Sequence, residues 1–383
     1  MPDTHASRTQ LRRHAGPYLA AVGPAIAEVP IRLPVALLTE AEEAAHELAR
    51  FDAHVSSELG SECELGPMSA VLLRTESSAS SQIENLTVGA RQLALAELGE
   101  HSNRNARIVT ANVRSMEAAV ALSRHVDAET ILAMHRELLA ESDPDHAGQW
   151  RTEQVWIGGS NIGPHAADFV PPHQDLVPAA IDDLIAFVHR DDIPALAHIA
   201  LAHAQFETIH PFTDGNGRTG RALVHAMLSG RELTRHVTVP ISAGLLVSTT
   251  SYFNALMSYR AGDPEPIVRQ FVDATFFAIG GGTRLVEQLS AVRRDYRERV
   301  TARRDSAVWR IIDALVAQPV VNTPFVVRTF GVSEVAAQRA VDRLVEAGVL
   351  HQTSKQARNR VWQADEILHA LDDFAASIRR VRG

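Results

Sequence analysis

Apolar residues recur every three or four positions along most of this 383-residue chain, the spacing that gives a helix one buried face. Over 37–59 the stripe includes Leu38, Ala41, Ala44, Ala45, Leu48 and Phe51. Gly66-Pro67 interrupts the chain there, and because Pro suits a first helical turn the pair predicts a fresh start. The next stripe, Met68, Val71, Leu72 and Thr75, runs into a serine-rich stretch ending at Asn85. Further helices are predicted near 88–99, 104–124, 128–140, 175–189 and 194–209.

The period changes between 148 and 172. Gln154-Val155-Trp156-Ile157 reads as a short strand, Gly158-Gly159 as a turn, and Phe169-Val170 as a returning strand stopped by Pro171 and Pro172. A β-hairpin is predicted there, with a plain connecting loop as the alternative. Toward the C-terminus, helices at 306–317, 324–330 and 333–347 are followed by strands at 349–352 and 360–362 around a basic tip. Gly331 and Ser333 supply a turn and an N-cap. Three helices and then a hairpin is the winged-helix order.

Composition changes this picture little. The chain is 45% hydrophobic, 22% charged and only 5% aromatic, which fits a mainly α globular protein too long for one core. No apolar run reaches the roughly 20 residues that cross a bilayer, and the N-terminus lacks an apolar signal core, so a cytoplasmic, non-membrane protein is expected. Cys63 is the single cysteine, which excludes an internal disulfide and fits a reducing compartment. A net charge of −9 argues against a general coat for nucleic acid. Residues 303–383 nevertheless hold 12 Lys and Arg against 9 Asp and Glu. The 333–347 helix presents Gln338, Arg339 and Arg343, diluted by Glu334, Asp342 and Glu346. That leaves DNA or protein as candidate partners of the winged helix.

Chemistry concentrates in HPFTDGNGRTGR at 210–221. Glycines and an asparagine at a helix start leave backbone N–H groups bare for an anion. Arg218 and Arg221 lie three apart and can point at one charged group. Asp214 offers the hard oxygen that Mg²⁺ takes when it also bridges phosphates, and His210 is the group able to move a proton near neutral pH. A competing metal site from His203, Glu207 and His210 shares the helix face but leaves the Gly-Asn-Gly nest unexplained.

These residues match, at every fixed position, the His-Pro-Phe-x-Asp/Glu-Gly-Asn-Gly-Arg-x-x-Arg loop of the Fic family, and the resemblance extends over residues 60–280. It implies a Fic-type helical bundle with a β-hairpin flap, followed here by a C-terminal winged-helix domain. The division expected is 1–100 for a helical region with an inhibitory helix, 101–285 for the catalytic core, 286–305 for a linker helix and 306–383 for the winged helix. The implied activity is transfer of AMP from ATP to a Ser, Thr or Tyr hydroxyl of a target protein. Removal of AMP, transfer of another phosphate group, or nucleotide sensing by a DNA-binding regulator are the alternatives.

By the same resemblance His210 is the base and Asp214 holds Mg²⁺. Gly215, Asn216 and Gly217, with the Asn216 side chain, form the anion hole, and Arg218 and Arg221 grip the β- and γ-phosphates. Thr219 and Gly220 complete the ATP loop, and Tyr252 and Phe253 are aromatic contacts to the nucleotide, with Arg260 a weaker candidate. The flap, with Ile157, Gly158, Gly159 and Ser160 at its turn, holds the target's backbone by strand addition. SSQIEN at 80–85 is similar to the family's inhibitory pattern, in which Glu84 pairs with Arg221 and Ser80 helps anchor the helix. Self-modification and homodimerisation are further expectations from relatives.

Overall fold

The computed structural model is described over residue 7 and residues 14–59, 62–100, 103–159, 162–353 and 360–382, with side chains omitted at 62–64 and 379–382. The Cys63 side chain, Ser160 and the tip that includes Lys355 lie outside the described residues. Helices dominate, as the 3.6-residue period requires.

The fold is organised around α7 (Ala195–Ile209), which is buried at every position from Leu196 to Ile209. It is alanine-rich and apolar all round, so neighbours pack against every side. Those neighbours are α1 (Val35–Leu59), α6 (Val177–Val188), α8 (Asn216–Gly230) and the 35-residue α11 (Glu265–Arg299). Helices α4 (Arg104–Ala121) and α5 (Ala128–Leu139) pair with each other and flank α8. The caps follow the sequence: Asn103 and Asp127 accept from the N–H groups of Ala106 and Thr130 at 2.8 Å each.

Helix α2 (Glu62–Ile83) does not begin at Gly66-Pro67 but runs through it. Pro67 lies near enough to the N-terminus that only its own missing N–H bond is lost. One face of α2 meets α4, α8 and α9 (Ile241–Val247), and another meets α12 (Ala307–Ala317), the first helix of the C-terminal unit. Helix α3 (Ala90–Glu97) follows it. Of the linker helix read over 286–305, residues 286–299 are the C-terminal half of α11, and the chain leaves the helix at Val300.

The C-terminal unit carries the expected helices α12, α13 (Thr323–Phe330) and α14 (Glu334–Glu346), with Gly331 left-handed at φ 65° and Ser333 capping. It also carries a strand that the sequence pattern hid. β1 (Val320–Asn322) pairs antiparallel with β3 (Val361–Gln363), which pairs with β2 (His351–Gln352), giving the order β1-β3-β2. Helix α15 (Asp365–Arg382) then packs back on α3, α9 and α11. On α14, Arg339 and Arg343 are exposed, whereas Gln338 is engaged by Asp342 and Arg360. Among the described residues no helix is long and apolar enough to cross a membrane.

Candidate active site

Helix α7 ends where Pro211 forbids another turn. His210 caps it in the left-handed region, at φ 50°, with its N–H donated to Phe206 O at 2.9 Å. The loop that follows is fastened from three directions. Asn216 closes it: Phe212 N–H donates to Asn216 Oδ1 and Asn216 Nδ2 donates to Phe212 O, each at 2.8 Å. His135 on α5 stacks on Phe212 with ring centroids 3.6 Å apart, accepts the Gly148 N–H at Nδ1, and so donates from Nε2 to Asp214 O at 3.0 Å.

Arg151 is the third fastening. Nearly buried, it donates to the main-chain oxygens of His210, Glu153 and Pro172, and its own N–H donates to Pro211 O. Arg151→Ala leaves these carbonyls without a charged donor, each worth about 1.5–3 kcal/mol. A loss of at least about 3 kcal/mol in unfolding free energy is therefore expected on chemical denaturation. A change below about 1 kcal/mol would show the fastening to be superfluous.

The nest expected at 215–217 is smaller than the sequence reading. Gly215, left-handed at φ 79°, gives its N–H to Asp214 Oδ1 at 2.7 Å, and the Asn216 amide is occupied by Phe212. The first-turn N–H groups of α8 from Asn216 onward remain, with no side-chain cap over them. Asp214 itself projects outward, its side chain 70% exposed and 3.5 Å from Arg218. Arg218 is nearly buried, yet among the described residues its Nε and Nη1 have no partner. Thr219 is buried behind the loop.

Helix α2 lies antiparallel to α8 with a four-residue step on both. Glu76 meets His225 at 2.9 Å, Ser80 meets Arg221, and Glu84 meets Gly217. Arg221 donates from Nε to Ser80 Oγ at 2.8 Å and from Nη2 to both Ser80 O and Glu84 Oε1 at 2.9 Å. A Cβ on Gly217 would come within 2.2 Å of Glu84 Oε1, so the carboxylate rests directly on the helix start. Burial opposes the Arg221 charge most strongly, but Glu84, Tyr252 and Glu207 together outweigh it and hold the guanidinium above its ordinary range. Asn85, at φ 61°, turns the chain away immediately after Glu84.

Beyond Arg221 stands a carboxyl that the sequence reading had placed only in a metal set. Glu207 is buried, its Oε1 has no partner among the described residues, and burial pushes it up to about 7. Gly220 makes room for it, since a Cβ there would lie 2.9 Å from Glu207 Oε1. Between its ordinary 4.5 and about 7, the folded protein holds a proton that the unfolded chain has released. Stability therefore falls as pH rises through that window. Glu207→Gln is expected to be more stable than the parent by about 3 kcal/mol at pH 8 and nearly equal at pH 5. Urea unfolding at the two pH values checks it, and an equal difference at both would contradict it.

His203 bonds through Nε2 to the Tyr252 hydroxyl at 2.7 Å, which takes it out of a metal set. Among the described residues no three His, Cys, Asp or Glu side chains are placed to hold an ion. Tyr252 is buried against His203 beside Arg221, whereas Phe253, its ring centroid 5.3 Å from that of Tyr252, is exposed. Among the described residues the expected hairpin keeps one antiparallel bridge between its arms, Ile157 with Phe169. Ile157 N–H donates to Phe169 O at 2.8 Å. Two left-handed glycines, Gly158 and Gly159, and the donorless Pro171 and Pro172 stop the ladder from growing. Arg260 pins this segment to α7: its guanidinium lies 3.7 Å from the Phe169 ring centroid and donates to Glu207 O. The other edge is taken by the chain's own Ala21, whose N–H donates to Val170 O at 2.9 Å.

Residues 125–228, which contain the whole fastened loop, match the Fic/DOC family. They form a Fic/DOC domain. Protein adenylyltransferase fic-1 of Caenorhabditis elegans is 31% identical over 147 residues, 38% of this chain and 26% of that protein. Protein adenylyltransferase Fic of Drosophila erecta is 31% identical over 163 residues, 43% of this chain and 30% of that protein. The chain thus spans less than a third of the length of these curated relatives. A Fic family protein from Desulfovibrio desulfuricans G20 shares the fold over 88% of this chain and 98% of its own, with a TM-score of 0.56 at 19% identity. That fold likeness extends well outside the Fic domain, into the flanking helices.

Proposed function

We propose that this protein transfers AMP from ATP to a hydroxyl of a target protein and rests in a state that Glu84 holds off. The observation that carries the reading is the contrast between two buried guanidiniums on one helix. Arg221 is held by Ser80 and Glu84, while Arg218 Nε and Nη1 have no partner among the described residues. Buried donors without acceptors mark a place where an anion belongs. The uncapped start of α8 points N–H groups to the same place, and planar guanidiniums suit phosphate oxygens.

In this reading Arg218 and the α8 N-terminus hold the phosphate chain, and Glu84 stands where a further phosphate would reach Arg221. Asp214 fits Mg²⁺: it is a single exposed carboxylate beside the nest, as an ion needs when phosphates and water supply its other ligands. When bound, the ion would offset charge on the phosphates. His210 takes the proton of the attacking hydroxyl as its oxygen bonds to the α-phosphorus and pyrophosphate leaves.

The test compares α-phosphate-labelled with γ-phosphate-labelled ATP, each with Mg²⁺, on the Glu84→Gly protein, scoring labelled protein on a gel. Label from the α position alone supports AMP transfer. Label from the γ position would make the chemistry phosphorylation, and label from neither would overturn the reading for this chain as its own target.

A further inference from the structure

His210 faces a difficulty as a base. Burial, followed by the nearby charges of Arg260 and Arg151, pushes its imidazole down to about 3. A base that weak accepts a proton poorly at neutral pH, where the best general bases titrate. Something in the site has to favour the protonated ring once the hydroxyl arrives.

The geometry offers one group for this. His210 Nδ1 is sealed from solvent and has no hydrogen-bond partner, so the 18% exposure left to the side chain lies elsewhere on the ring. The nearest carboxylate oxygen, Glu207 Oε2, lies 3.8 Å from Nδ1, and the other oxygen, Oε1, is also buried and unpartnered. Glu207 and His210 are three apart at the end of α7, the spacing that lets two side chains meet. At 3.8 Å the pair is about 1 Å too long for a hydrogen bond, and catalytic contacts are often that loose before substrate binds. The other acceptor near the ring is the Glu207 main-chain oxygen, which already accepts from Arg260 Nη2 at 3.0 Å.

We propose that Glu207 is the positioning residue for His210. Its carboxylate accepts the Nδ1–H, which leaves Nε2 free to take the hydroxyl proton, and it then stabilises the imidazolium. This rests on the reading of His210 as the base. The bond broken is the hydroxyl O–H, the proton passes to Nε2, and the positive charge that forms lies beside the negative carboxylate.

The surroundings couple this pair to the resting state. Arg221 on α8 and Arg260 on α10 (Thr249–Arg260) favour an ionised Glu207, while Glu84 at the end of α2 disfavours it. His203, on the turn before, and Tyr252, on α10, complete the ionisable groups facing it, and His203 is held neutral by burial. Departure of Glu84 therefore does two things: it frees Arg221 and it favours the charged form of Glu207. The same displacement that opens the phosphate site readies the base.

The experiment uses the Glu84→Gly protein with Glu207 kept or changed to Gln, Asp or Leu. Nitrogen-15 NMR of His210 is the readout that needs no turnover. With Glu207 the Nδ1-protonated form is expected, and in Glu207→Leu a shift toward the Nε2-protonated form. An identical tautomer in both would overturn the proposal, whatever the activity. On AMP transfer, Glu207→Leu is expected to lower kcat about 10- to 100-fold with KM for ATP unchanged. Glu207→Asp is expected to recover part of that rate. The rate of the parent should rise with pH as Glu207 ionises, and Glu207→Gln should flatten that limb. A rise in KM with kcat unchanged would overturn the proposal by placing Glu207 with the phosphate site. Absence of AMP transfer in Glu84→Gly itself would fail the AMP-transfer reading separately, because the tautomer measurement still decides whether Glu207 orients His210.

Discussion

Glu84→Gly is expected to raise AMP transfer about 10- to 100-fold, the factor that corresponds to one charge-assisted hydrogen bond of about 1.5–3 kcal/mol. The reason lies in what Glu84 touches. It accepts from Arg221 Nη2 at 2.9 Å and lies against Gly217 at the start of α8, so it occupies two anion-binding elements at once. An incoming phosphate has to displace it or bind away from Arg221. Ser80 remains on Arg221 Nε in the variant, so the guanidinium keeps its place while losing its counter-charge. Steady-state rates with labelled ATP at saturating concentration check the prediction. A variant no faster than the parent would separate the Glu84–Arg221 pair from any control of the reaction.

The effect has a structural partner in the rung before it. Glu76 is fully buried between His225 and Ser242, with the Ser242 N–H donated to Glu76 Oε2 at 2.8 Å. This polar contact fixes α2 along α8, so that Ser80 and Glu84 arrive opposite Arg221 and Gly217 by the four-residue repeat. The placement of Glu84 against Arg221 and Gly217 is thus inherited from the register of a whole helix pair. The outer face of that same helix packs on α12 of the C-terminal unit.

What the sequence made legible follows from which interactions are local. The stop at His210-Pro211, the uncapped start at Gly215, and the α2 segment from Ser80 to Glu84 are set by residues a few positions apart, and all appear in the structure. The fastenings of the loop were not legible. His135 and Arg151 act on main-chain atoms of 210–214 from 59 to 79 positions away, and no short pattern distinguishes a clamping arginine from a surface one. Asn216 misled for a related reason: an amide at a phosphate loop reads as a ligand donor, whereas here it closes the loop on Phe212. Strand β1 escaped because three buried residues carry no period. The hairpin was overread, since the run at 154–157 reads as a short strand, whereas two glycines and two prolines leave, among the described residues, a single bridge between its arms.

His210→Ala is the change with the largest expected loss, about 10²- to 10⁴-fold in the rate of AMP transfer from the Glu84→Gly protein, the range a general base contributes. ATP affinity should be unchanged, and the structure says why the two can separate. The ties that hold this position use its backbone: the N–H to Phe206 O and the carbonyl accepting from Arg151 Nε, each at 2.9 Å. The imidazole Nδ1 makes no hydrogen bond, and the groups read as binding phosphate, Arg218, Arg221 and the α8 N-terminus, have their contacts elsewhere. Alanine does lose side-chain tolerance for φ 50°, a strain of about 1 kcal/mol that lowers stability without moving the phosphate site. Calorimetric titration with ATP beside the rate measurement divides the outcomes. Lost rate with retained affinity places His210 in the proton transfer. Loss of both would make it a keystone of the loop, and His210→Asn, which tolerates the left-handed region better, would then restore binding.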